Sequence, residues 1–182
     1  MRRPLLILPG RNDSGPQHWQ SLWQKRRPDA LRLEPDSWTA PELDDWMAAL
    51  NRAVDMCPAP PILVAHSMGC LLSVSWAHRH RPDQSIAGAF LVAPPNFKRN
   101  DFPSPSFSQI PESPLPYPAL VIASTNDPYC PIEVATGLAK GWNAGFVSVG
   151  PRGHLSTEPG NGAWEEGWHL LEAFAAGLHV QL

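Results

Sequence analysis

Pro61-Ile62-Leu63-Val64-Ala65-His66-Ser67-Met68-Gly69-Cys70 is an apolar run that stops at a short polar turn and passes into a helical pattern. With no polar residue alternating among its apolar ones, Ile62 to Ala65 predicts a strand buried on both faces, as in a parallel sheet covered by helices. The small-His-Ser-x-Gly that ends the strand is the strand-turn-helix setting of a nucleophile elbow. Such a turn strains its serine, so that Oγ projects above the carboxyl end of the sheet while the next helix points its N-terminus at the same place. Small residues must flank it. Gly69 lets the helix approach closely, and Ala65 stands two before the serine, where glycine is usual. The same residues also fit a buried strand followed by a helix that Ser67 caps, since serine is a preferred N-cap. Residues elsewhere in the chain decide between the two.

Outward from this stretch, strands and helices alternate. Leu5 to Leu8 reads as a first strand, ending at Pro9-Gly10 in the polar loop Arg11 to Pro16, with a helix beginning near Gln17. Leu31-Arg32-Leu33 is a weak second strand, and Thr39-Ala40-Pro41-Glu42 has the form of a capping box with proline in the first turn. Leu43, Trp46, Met47, Leu50 and Val54 then form one apolar stripe at the helical period, a core face. After the central strand come a helix from Met68 to about Arg79, strands Ile86–Ala93 and Ala119–Ser124, a helix Ile132–Ala139, a strand Phe146–Val149 and a helix from Ala163 to about Ala176. The fold class that follows is α/β: one domain over 1–182, with a doubly wound, mainly parallel, six-stranded sheet. Right-handed crossovers bring every strand-to-helix loop to one edge of that sheet, where such folds bind ligands.

Composition excludes several classes. A net charge of −3 and a pI near 6.1 leave no electrostatic footprint for nucleic acid or an anionic membrane. Cys57, Cys70 and Cys130 form neither a CxxC pair nor a metal-ligand spacing, so no metal and a reduced compartment are expected. Met1-Arg2-Arg3-Pro4 runs straight into the first strand rather than into a secretory apolar segment, which predicts a soluble cytoplasmic protein. Proline is abundant, at 22 of 182 residues, and eight of them fall between Pro94 and Pro118 together with Phe97, Phe102 and Phe107. This segment has no helical or strand period. Leaving the carboxyl end of a strand, it is expected as a wall or partial lid beside Ser67, its phenylalanines offering apolar contact, or as a proline-stiffened surface connection.

A serine at neutral pH needs a base within hydrogen-bond reach, and the base needs a carboxylate to hold its tautomer. Acid then histidine, after the serine, is one chain order in which such triads occur. Asp127 follows the strand ending at Ser124, and His154 follows the strand ending at Val149, in Gly150-Pro151-Arg152-Gly153-His154. With Ser67 they occupy three strand ends in that order. The oxyanion donors expected are the backbone N–H of Met68 and that of Arg11 in the first loop, with Asn12 as the alternative. Asn12, His18 and Trp19 at the catalytic edge, and Phe97 in the Pro-rich loop, are the further substrate-binding candidates. His66 is expected to point away from the serine. No Gly-x-Gly-x-x-Gly or P-loop pattern occurs, so no cofactor is implied.

The chain resembles the small serine hydrolases of α/β-hydrolase fold that include retinoblastoma-binding protein nine. The resemblance rests on Leu8-Pro9-Gly10, His18-Trp19, His66-Ser67-Met68-Gly69, Asn126-Asp127-Pro128 and Gly153-His154, and spans nearly the whole length. It implies a compact six-stranded core without a large cap domain, Ser67, Asp127 and His154 as the triad, and hydrolysis of small carboxylic esters through an acyl-enzyme. Amide or thioester hydrolysis by the same triad, or a non-catalytic binding protein on this fold, are the alternatives. The residues name no protein partner.

Overall fold

The computed structural model describes residues 2–80, 85–158 and 160–182; Met1, at the head of the N-terminal lead-in, lies outside them. Six strands form one all-parallel sheet: β1 (Leu5–Leu8), β2 (Leu31–Arg32), β3 (Ile62–His66), β4 (Gly88–Val92), β5 (Ala119–Ala123) and β6 (Gly145–Ser148). Their order across the sheet is β2-β1-β3-β4-β5-β6, which puts β3 inside it and the single reversal of winding between β1 and β3. The helices are α1 (Trp19–Arg26), α2 (Leu43–Asp55), α3 (Met68–His80), α4 (Ile132–Gly141) and α5 (Glu165–Gly177). Among the described residues no helix is long and apolar enough to cross a membrane.

The strand pleat sorts the core into two layers. Leu6, Leu8, Leu63, Ala65, Ala89 and Leu91 face α2, α3 and α4. Leu5, Ile7, Ile62, Val64, Phe90 and Val92 face α1 and α5. The second layer is closed by four tryptophans: Trp23 stacks on Trp164 with centroids 5.8 Å apart and meets Trp168 edge-on at 5.3 Å, while Trp19 meets Trp164 edge-on at 5.3 Å.

Three starts of helices differ from the sequence expectation, α5 among them, which begins at Glu165 rather than Ala163. α1 begins at Trp19, because the side chain of His18 accepts the N–H of Gln20 and caps it. The Thr39–Glu42 capping box does not form: α2 begins at Leu43, Glu42 makes no side-chain cap bond, and the N–H of Leu43 is taken by Ser106 Oγ at 3.2 Å. The preceding segment is held elsewhere, since Trp38 O accepts the N–H of Asn12 at 2.8 Å and Thr39 O accepts Arg11 Nε–H at 3.3 Å. The first loop and the Pro-rich connection thus meet at the start of α2.

Gly69 seats α3 against β1. A Cβ there would run into the carbonyl oxygen of Leu8, with Leu8 C and Pro9 O at 2.8 Å. These are backbone atoms of a buried strand and cannot give way, so Gly69→Ala is expected to cost ~3 kcal/mol or more. That corresponds to a melting temperature lower by roughly 6–12 °C for a chain of this size. An unchanged thermal melt would mean that the elbow is looser than this packing implies.

Candidate active site

The carboxyl end of the sheet opens into a cleft of about 530 Å³, lined from the loops after β1, β3, β4, β5 and β6. Ser67 sits at the junction of β3 and α3 with φ +53°, a left-handed conformation that costs a non-glycine residue about 1–3 kcal/mol. The surroundings hold it there. Ser67 N–H donates to Val92 O at 3.0 Å, Ser67 O accepts Cys70 N–H at 2.9 Å, and Gly10 lies so close that a Cβ on it would stand 2.8 Å from Ser67 Cβ.

His154 Nε2 lies 2.9 Å from Ser67 Oγ, and its Nδ1 lies 3.0 and 2.9 Å from the two carboxylate oxygens of Asp127. With Asp127 as acceptor, Nδ1 carries the proton and Nε2 is free to accept the serine hydroxyl. The Asp127 side chain is only 3% exposed, so its attraction for Nδ1–H is little screened by water. Its Oδ1 also accepts Tyr129 N–H at 2.9 Å, which fixes the carboxylate's plane.

Side chains outside this trio position it, and the sequence reading missed them. Asn126 Oδ1 accepts Gly153 N–H at 2.7 Å and Ser124 Oγ–H at 2.9 Å, while Ser124 Oγ accepts Arg152 N–H at 2.9 Å. The loop carrying Asp127 is therefore stitched to the loop carrying His154. Gln20, fully buried in α1, donates to Leu8 O at 3.2 Å and Val64 O at 3.0 Å, tying the ends of β1 and β3 together. Tyr129 meets the His154 ring edge-on at 4.7 Å. Of these, only the Asn126-Asp127-Pro128 turn carried a local signal. Asn126→Ala is expected to lower kcat roughly 10–100-fold with a smaller change in KM, because the base loop loses its register to the acid. Asn126→Asp, which keeps an acceptor for the same two donors, should recover most of the loss. Equal rates for Asn126→Ala and the parent protein would remove the positioning role.

His66 does not point away, as expected from its place before the serine. It is 5% exposed and lines the cleft, its Nε2–H donates to His154 O at 2.9 Å, and its ring lies 4.9 Å from that of His154. Strand β3 ends one residue later than expected, which brings this side chain under the base loop. Burial, with His154 and His18 nearby, pushes its pKa well below the ordinary range, so it adds no positive charge beside the imidazolium that His154 would become. His18 lines the cleft, its ring tilted against that of His66 with centroids 4.8 Å apart.

Trp19 and Phe97 do not reach the cleft. Trp19 is 1% exposed and its indole N–H donates to Leu155 O at 2.8 Å, anchoring the residue after His154 from below. Phe97 is 3% exposed and packs into the α2–α3–α4 layer with Phe107; Phe102 is the phenylalanine of the Pro-rich connection that lines the cleft. In a connection with no period, nothing local marks which aromatic turns inward. Among the described residues the N–H groups of Met68 and Arg11 have no hydrogen-bond acceptor, while that of Asn12 is spent on Trp38 O. Asn12 lines the cleft but is not free as a second backbone donor. No cluster of His, Cys, Asp or Glu that could hold a metal occurs among the described residues.

The model of the serine hydrolase family matches residues 5–173. A YdeN-like hydrolase of Pectobacterium atrosepticum is 35% identical, with a TM-score of 0.88 over 97% of this chain and 92% of its own. The ydeN product of Bacillus subtilis, whose name assigns it only to the hydrolases, is 25% identical over 88% of this chain and 90% of its own, and its structure superposes with a TM-score of 0.76. Esterase 2 of Thermogutta terrifontis, at 13% identity, shares the fold with a TM-score of 0.73 over all of this chain and 85% of its own. The fold is that of the α/β-hydrolases.

Proposed function

The chain belongs to the serine hydrolase family, and from that premise we propose that it cleaves short carboxylic esters through Ser67, His154 and Asp127. The observation that carries this reading is the His154 ring set between Ser67 Oγ at 2.9 Å and the Asp127 carboxylate at 2.9 Å. His154 Nε2 takes the hydroxyl proton as Ser67 Oγ attacks the ester carbonyl. The negative charge moves to the carbonyl oxygen, which the N–H groups of Met68 and Arg11 receive, helped by the N-terminus of α3. The tetrahedral carbon then breaks its bond to the alkoxy oxygen. His154 gives that oxygen the proton, and the alcohol leaves an acyl group on Ser67. Water, losing a proton to the same nitrogen, attacks the acyl carbon, and the acid departs as Ser67 regains its hydrogen. Asp127 stabilises the imidazolium in both halves without taking the proton.

Short acyl groups fit the cleft. Its volume of about 530 Å³ is bounded by Phe102 and Pro103 from a connection whose other phenylalanines are locked in the core. Turnover of p-nitrophenyl esters from acetate to dodecanoate is expected to peak at ~2–4 acyl carbons and to fall at least about tenfold by ~12, because methylenes that extend past Phe102 and Pro103 stay in water and gain nothing that offsets the entropy of ordering the longer chain at the serine. Equal or faster turnover of the dodecanoate would overturn the short-chain preference.

A further inference from the structure

The two walls of the cleft differ. One comes from α3 and the Pro-rich connection, where Met68, Phe102 and Pro103 are backed by the α2–α3–α4 layer. The charges on that side are already matched, since Arg99 holds both carboxylate oxygens of Asp101, at 2.9 and 2.6 Å. The opposite wall includes His18, at the head of α1. Its Nδ1 accepts Gln20 N–H at 3.2 Å, so the neutral ring must carry its proton on Nε2. Burial, reinforced by Arg32 and His154, pushes its pKa down to about 4, so the ring is neutral at physiological pH. Nε2 is shielded from bulk water and, among the described residues, has no hydrogen-bond partner, although His18 as a whole lines the cleft.

A buried N–H without an acceptor is rare in a folded chain and costly to maintain. The carboxylate of Asp13, which also lines the cleft, is committed to Arg32 at 2.6 Å. Asp13 thus leaves His18 Nε2–H open to an acceptor brought by whatever fills the cleft. We propose that His18 is a specificity-determining residue, and that the substrates are esters carrying an uncharged oxygen acceptor (ether, hydroxyl or keto) a few bonds from the scissile carbonyl. His18 Nε2–H binds that oxygen while the Phe102 wall holds the apolar remainder. A neutral donor suits an uncharged oxygen better than a carboxylate, which would lose its water against a dipole instead of a charge. The proposal rests on the ester-hydrolase reading above and narrows its substrate class.

The test uses isosteric pairs. On the acyl side, p-nitrophenyl methoxyacetate is compared with p-nitrophenyl butyrate; on the alcohol side, 2-methoxyethyl acetate with n-butyl acetate. The kcat/KM ratio of ether to alkyl ester is measured in the parent protein, in His18→Phe, and in His18→Asn, which keeps a capping acceptor for α1 but lacks the Nε2–H. In one of the two pairs the ratio is expected to fall about tenfold in both variants, the size of one hydrogen bond, whatever the general loss of activity. Taking ratios cancels intrinsic ester reactivity and any change in the folded fraction. Ratios that stay constant in both pairs, in variants that still react with a fluorophosphonate, overturn the proposal and leave the hydrolase reading standing. A parent protein that takes no fluorophosphonate label overturns both.

Discussion

Ser67→Ala is expected to lower short-ester turnover by ~10⁴–10⁶, leaving only the small acceleration that binding and oxyanion donors supply without a nucleophile. The size of the effect follows from the elbow. Ser67 holds its strained φ of +53° because its N–H, its carbonyl and the approach of Gly10 are all fixed, and that same conformation brings Oγ to 2.9 Å from His154 Nε2. Alanine tolerates the same backbone no better and no worse, so the fold should survive and only the hydroxyl is lost. Stopped-flow or steady-state release of p-nitrophenol, alongside a thermal melt, separates these two consequences. A variant that keeps more than about a tenth of the parent rate would point to a different nucleophile or to base-assisted attack by water alone.

Asp127→Asn is expected to cost ~10⁴ in kcat at neutral pH with little change in melting temperature. The carboxylate accepts from Nδ1 through both oxygens, at 3.0 and 2.9 Å, and from Tyr129 N–H at 2.9 Å. In the amide, one oxygen still serves Tyr129, which leaves the NH₂ group facing His154. A donor in that place turns the ring to its other tautomer, with the proton on Nε2, where it can no longer accept from Ser67 Oγ. The imidazolium formed during attack also loses its counter-charge in a pocket where the acid's side chain is 3% exposed. Loss of less than about tenfold would show that His154 is oriented chiefly by its loop, through Asn126 and His66, rather than by the acid.

Much of this arrangement is legible before any coordinates. Continuous apolar strands separated by helical stripes specify a covered parallel sheet, and in such a sheet the loops after β3, β5 and β6 share one edge. Ser67, Asp127 and His154 are therefore placed together by topology. What escapes the sequence depends on contacts between distant segments. The Thr39–Glu42 pattern satisfies a local rule, yet Asn12 and Arg11 claim the carbonyls of Trp38 and Thr39, and Ser106 takes the N–H of Leu43 instead. Trp19 sits at the catalytic edge in sequence but turns its ring beneath the His154 loop, because the second layer needs its area beside Trp23 and Trp164. Asn126 looks like one more polar turn residue until the β6 loop brings Gly153 N–H to it. His66 is the clearest case: alternation along β3 sets which face it takes, but only the arrival of the base loop shows that this face carries His154.

The central claim is that Ser67 is the nucleophile of a serine hydrolase, and the most direct measurement is covalent. The parent protein is incubated with a fluorophosphonate, digested, and mapped by tandem mass spectrometry. A single adduct on Ser67, absent in Ser67→Ala and slowed at least about a hundredfold in Asp127→Asn, is the predicted result. No adduct between about pH 6 and about pH 9, or an adduct on a different residue, would contradict it.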